Sequence, residues 1–100
     1  MIIYNVTVNI SNDIHNEWLQ WMRSVHIPDV MRTGMFIQNN IFRILADEDS
    51  GGKSYSVQYT CESMDKYEEY REKYAAALQA EHSQKYKDRF VAFRTLLELA

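Results

Sequence analysis

One cysteine, one proline and no surplus of positive charge set the first limits on this 100-residue chain. Cys61 has no second cysteine to pair with, so no internal disulfide can form, and a reducing compartment is expected. Eleven Lys and Arg against 14 Asp and Glu give a net charge of -3, which leaves no electrostatic footprint for nucleic acid or for an anionic membrane surface. No apolar run approaches the ~20 residues of a membrane span. After Met1 the chain enters an alternating segment containing Asn5 and Asn9, without the basic start and apolar run of a signal peptide. His15, His26 and His82 show no metal-ligand spacing and HExxH is missing, so neither metal nor cofactor is expected. These absences predict a cytoplasmic protein that folds by packing alone.

What is present is a hydrophobic content of 46%, enough for one domain over residues 1–100 that buries roughly two-thirds of its unfolded surface. Ile2, Tyr4, Val6, Val8 and Ile10 alternate with Ile3, Asn5, Thr7 and Asn9, the period of a half-buried strand. Ser11, Asn12 and Asp13 are N-cap types, and Ile14, Trp18, Met22 and Val25 recur at helical spacing, predicting a helix over about residues 13–25. Pro28, with Gly34 beyond it, predicts a short capped turn of helix from Pro28 to Thr33, with His26 beside the reversal. Residues 36–46 form a second strand with apolar groups on both faces, which two buried faces or a bulge near Asn39 and Asn40 would explain. The acidic, glycine-rich stretch Asp47–Gly52 is a solvated turn, lacking the ligand spacing of a calcium loop.

Residues 54–61 alternate strictly, with Tyr55, Val57, Tyr59 and Cys61 inward. Ser63 caps one long helix carrying the stripe Met64, Tyr67, Tyr70, Tyr74, Ala77 and Leu78. In the closing strand, residues 90–99, Val91, Phe93, Thr95, Leu97 and Leu99 read as the core face, with Phe90, Ala92, Arg94 and Leu96 opposite. The order strand, helix, strand, strand, helix, strand is the ferredoxin-like βαββαβ arrangement of α+β proteins, a four-stranded antiparallel sheet with two helices on one face. On this reading the uncovered face gathers Asn5, Thr7 and Asn9, Ser56, Gln58 and Thr60, and Arg94 with its apolar neighbours. Such a face fits a homodimer of the dimeric α/β barrel kind, which would also protect sheet edges.

The segments Trp18-Leu-Gln-Trp-Met22, His26-Ile-Pro-Asp-Val-Met-Arg-Thr-Gly-Met-Phe36 and Phe90-Val-Ala-Phe-Arg-Thr-Leu-Leu97 resemble those of a bacterial family of short proteins known as a domain of unknown function. The resemblance spans almost the whole chain and implies no activity. More distantly, the element order resembles the dimeric α/β barrel superfamily, which includes small monooxygenases, muconolactone isomerase-like enzymes and EthD-like proteins. No catalytic residue carries over, because none of their motifs is matched.

Two functions remain open. One is a dimeric interaction module whose polar inner sheet face is a wet interface, with Arg94 paired to an acidic residue such as Glu98 of the second copy. The other is a small-molecule binding protein or cofactor-independent enzyme, isomerase-like or monooxygenase-like, acting on a small anionic or carbonyl compound. Its candidate ligand residues are Arg94, His26, Asn5, Thr7, Gln58 and Thr60. Arginine suits a carboxylate, phosphate or enolate oxyanion, and His26 has the only suitable unperturbed pKa for acid–base work near such a pocket. The sequence does not decide whether the protein is an enzyme.

Overall fold

The structure is a computed structural model that describes residues 1–45 and 51–100. In chain order it contains β1 (Ile2–Ser11), α1 (His15–Trp21), a π-helical turn (Met22–His26), α2 (Ile27–Met31), β2 (Gln38–Arg43), β3 (Gly52–Cys61), α3 (Met64–Lys73), α4 (Ala75–Lys85) and β4 (Phe90–Glu98). The strands form one antiparallel sheet in the order β2-β3-β1-β4, the ferredoxin-like architecture that the element order predicts. Ile2, Tyr4, Val8 and Ile10 of β1 and Tyr55, Val57, Tyr59 and Cys61 of β3 share the helix-covered face and build the core with Trp18, Met22, Val30, Phe36 and Tyr70. Among the described residues no helix is long and apolar enough to cross a membrane.

Cross-strand partners in an antiparallel sheet point to the same side, so register decides every face. β4 pairs with β1 as Ile10↔Phe90, Val8↔Ala92, Val6↔Arg94 and Tyr4↔Leu96. Phe90, Ala92, Arg94 and Leu96 therefore lie on the helix-covered side. Val91, Phe93, Thr95 and Leu97 lie on the open side with Asn9, Thr7, Asn5 and Ile3. This reverses the face assignment expected for β4. Both of its faces are apolar, so composition alone could not tell them apart.

Other expectations change locally. Ser11, Asn12 and Asp13 do not cap α1, whose N-cap is Ile14. Ser11 instead donates through both its backbone N and its Oγ to the Arg89 carbonyl, and Asp13 pairs with the Arg89 guanidinium at 2.6 Å, tying the start of α1 to the start of β4. β2 runs only from Gln38 to Arg43, with unbroken pairing to β3 and hence no bulge. Its second apolar face is an exposed one, because β2 is an edge strand and Phe42 stands on the open side across from Ser56. Ala46 and the turn expected at Asp47–Gly52, apart from its two glycines, fall outside the described residues.

Ser63 caps α3 as expected, accepting the Lys66 backbone N–H, but the long helix breaks at Tyr74, where φ is -125°. Helical bonding persists across the break, from Tyr74 N to Tyr70 O and from Leu78 N to Tyr74 O, so it is a kink, and no glycine or proline marks it. Beyond the kink Ala75 and His82 reach the core.

The segment around Pro28 is helical on both sides of the proline. Pro28 cannot donate to the ladder, and just before it the helix widens to a π turn, in which Ile27 N donates to Met22 O. Ser24 Oγ bonds back to Gln20 O at 2.7 Å within the same stretch. This turn carries His26. The reversal after α2 closes as predicted at Gly34, which adopts φ +77°. No atom lies within 4 Å of where a Cβ would sit, so Gly34→Ala should destabilise through backbone strain alone, by about 1 kcal/mol. A lower urea midpoint with an unchanged m-value would show this; an unchanged midpoint would contradict it.

Candidate functional site

Helix cover over the sheet is closest above β1 and β3 and thin toward β4, where Leu96 and Arg94 are exposed although they face the helices. Under that edge lies a cavity of about 40 Å³ between the sheet and the helices. Tyr4, Val6 and Val8 form its floor with Phe90, Ala92 and Arg94, and Met22, His26, Tyr70, Gln79 and His82 come down from the helices. Its walls are largely apolar, so each polar group at it carries weight.

His82 is the one buried polar side chain of the described residues. Its Nε2 accepts the Trp18 indole N–H at 2.9 Å. An indole nitrogen only donates, so the neutral ring must carry its proton on Nδ1. Burial lowers His82 to about 4, with His26 and then Arg94 adding to the effect. His26 is also lowered to about 4 by burial, against the pull of the Asp29 carboxylate. Both rings are therefore neutral at pH 7. They stand 5.8 Å apart, His26 stacked on Trp21 at 5.1 Å and His82 edge-on to Phe90 at 4.5 Å. His26 Nδ1 is buried and has no hydrogen-bond partner among the described residues.

Arg94 supplies the fixed charge. Its Nε donates to the Tyr4 hydroxyl at 3.0 Å, and the ion pairs among the described residues all lie elsewhere. The Tyr4 ring is held among Phe36, Tyr59, Tyr67 and Tyr70. Burial pushes the Tyr59 and Tyr70 phenols well above their ordinary range, so they stay protonated. One guanidinium, two neutral imidazoles and three phenols around a small cavity can hold an oxyanion and exchange a proton with it.

Of the residues singled out from the sequence, the structure brings Arg94 and His26 together at this cavity and places Asn5, Thr7, Gln58 and Thr60 on the open side of the sheet. There Ser56 Oγ donates to Asn5 Oδ1 at 2.5 Å, Asn5 Nδ2 to Thr7 Oγ1 at 3.1 Å and Gln58 Nε2 to Ser56 Oγ at 3.3 Å, a polar ladder bonded to itself. His82 and Tyr4 were not foreseen in this role. The helical stripe Tyr74, Leu78, His82 at intervals of four would have placed His82 inward. Nothing local reveals a bond to Trp18, 64 residues away. Cys61 is buried, its thiol pushed up by burial and its Sγ donating to the Ser63 carbonyl at 3.4 Å, so it is a packing residue. No group of three metal-ligating side chains occurs among the described residues.

Over residues 1–100 the chain matches the family described as "Domain of unknown function (DUF4286)". No curated protein matches it. Among solved structures, a dimeric ferredoxin-like protein from an uncultured marine organism is similar at TM-score 0.73 and 12% identity, covering 100% of this chain and 95% of that one. HapK from Hahella chejuensis gives 0.71 and 9%, covering 100% and 93%. An ethyl tert-butyl ether d (EthD) family protein from Bacillus halodurans gives 0.67 and 10%, covering both chains completely. At these identities the likeness is one of fold.

Proposed function

Because the chain belongs to the DUF4286 family, a domain of unknown function, its role has to be argued from the pocket, and we propose that it is a small-molecule binding protein that takes a small anionic or carbonyl compound between sheet and helices. The observation that carries this reading is the unpartnered, buried Nδ1 of His26 at a cavity that Arg94 also lines. A buried polar atom left without a partner costs about 1–3 kcal/mol, and a ligand oxygen would recover that cost. The size of the cavity favours a compound with a few heavy atoms, or the polar head of a longer one.

The same chain is proposed as a homodimer of single-domain subunits joined through the open sheet face. Val91 and Phe93 are 71% and 62% exposed there, and Leu97 and Phe42 are exposed as well, flanking the polar ladder on both edges. An apolar edge strand left in water is an aggregation hazard, and a second copy would cover it. One structural neighbour is itself a dimeric ferredoxin-like protein. A reducing, cytoplasmic setting fits the single, buried and free Cys61.

The test is acetate as a small carboxylate probe, followed by ¹H–¹⁵N spectra. The side-chain Hε of Arg94 and the rings of His26 and His82 should shift together along one saturating curve. Mass spectrometry of small molecules released on denaturing freshly purified protein would identify a natural occupant. Shifts that stay linear with acetate, or that map to Asn5, Thr7 and Gln58 instead, would sink the pocket reading.

A further inference from the structure

Resting on the pocket reading, we infer that the ligand is taken up together with one proton, His26 accepting it at Nδ1 while Arg94 holds the anion and His82 remains a neutral N–H donor. The pocket's substrate class is then the small acid, a carboxylic acid or an enol. When such an acid enters un-ionised, its O–H bond breaks, an N–H bond forms at His26 Nδ1, and the electron pair stays on the oxygen beside Arg94. When it enters as the anion, the proton comes from solvent.

The two histidines are not equivalent, and geometry sets the difference. The lone pair of His82 Nε2 is already used by the Trp18 N–H at 2.9 Å, inside the core. A proton there would break that bond and leave two N–H groups facing each other. His26 Nδ1 has no such commitment. The surrounding charges point the same way. From α2 the Asp29 carboxylate favours a charged His26, while His82 feels both Arg94 on β4 and His26 itself as disfavouring its charge. The other titratable groups at the cavity are phenols, Tyr4 on β1, Tyr59 on β3 and Tyr70 on α3, and burial raises Tyr59 and Tyr70 so that they stay uncharged. Lys85 of α4 sits outside, 5.7 Å from the centre of the Trp21 ring on which His26 stacks. Without a ligand, burial keeps His26 neutral. An anion held at Arg94 in the same cavity adds a negative charge near His26, which favours its charged form, and gives the new N–H an acceptor.

Calorimetry of acetate binding to the full chain, repeated in buffers of different ionisation enthalpy between about pH 5 and pH 8, tests this directly. His26 is raised by the anion, so uptake is confined to the window between its free value of about 4 and its higher liganded value. Within that window close to one proton should enter per acetate and Kd should rise about tenfold per pH unit. His26→Gln should bind acetate with no proton uptake and a flat pH profile, whereas His82→Gln should keep the uptake. Long-range ¹⁵N spectra of the wild type give the same answer should either variant misfold: His26 doubly protonated with acetate present, His82 neutral with its proton on Nδ1. Acetate that binds with no proton uptake, or uptake that persists in His26→Gln and vanishes in His82→Gln, overturns the inference and leaves the pocket standing. Acetate that does not bind overturns both.

Discussion

Arg94→Met is expected to weaken acetate binding by about 100-fold while leaving the fold in place. A charge-assisted hydrogen bond is worth about 1.5–3 kcal/mol, and each 1.4 kcal/mol is a factor of ten in affinity. Stability should fall only modestly. Arg94 is exposed, and its one hydrogen bond among the described residues is donated to the Tyr4 hydroxyl, whose loss from so exposed a position costs about 1.5 kcal/mol, the low end for a charge-assisted bond. Methionine keeps much of the side-chain length on β4, so Ala92 and Leu96 keep a neighbour of similar shape. Arg94→Lys separates charge from geometry: it retains the positive charge but lacks the two-pronged fork, and should fall between wild type and Arg94→Met. Acetate affinity in Arg94→Met equal to that of the wild type, measured by the same NMR titration, would remove Arg94 from the site.

The contrast between β1 and β4 shows what sequence can and cannot specify here. In β1 the alternation of Ile2, Tyr4, Val8 and Ile10 with Asn5, Thr7 and Asn9 admits one orientation, and the structure adopts it. The same holds for β3 and for the Ser63 cap, whose signals are local. β4 carries large apolar groups on both sides because, on the proposed assembly, both sides have work to do. Only its pairing with β1 tells them apart, and a shift of one residue exchanges the two sets. That is why Arg94 could be picked out as conspicuous yet be assigned to the wrong side of the sheet. His26 was legible as a histidine beside a chain reversal. What could not be read is its neighbour across the cavity: His82 arrives from α4 after a kink that no glycine or proline announces, and the Trp18 bond that fixes its tautomer joins residues distant in sequence. The π turn is equally hidden. It arises where Pro28 interrupts the hydrogen-bond ladder of a helix that continues on both sides.

With register known, β4 divides its labour by face, and Phe93→Asp tests the division. Light scattering of the wild type at micromolar concentration should report about twice the 11.9 kDa chain mass. Phe93 lies on the open side opposite Thr7, between the exposed Val91 and the polar ladder of β1 and β3. In a face-to-face dimer of ~1,000 Å² or more, that position would be buried against the partner. A carboxylate there would lose its hydration in both subunits at once. Several kcal/mol for the two copies would raise the dimer dissociation constant by about 1,000-fold or more. The monomer itself should lose nothing, since Phe93 is 62% exposed in the single chain and contributes little to its core. The variant should therefore scatter as a monomer with a melting temperature set by the intact fold, and a dimer that persists would refute the open-face interface. Arg94, on the other side of the same strand, looks away from that interface toward His26 and His82. Monomeric Phe93→Asp should accordingly bind acetate as tightly as the wild type and with the same proton uptake. A monomer that has lost acetate would mean that the second subunit completes the pocket, and the two faces of β4 would then be coupled.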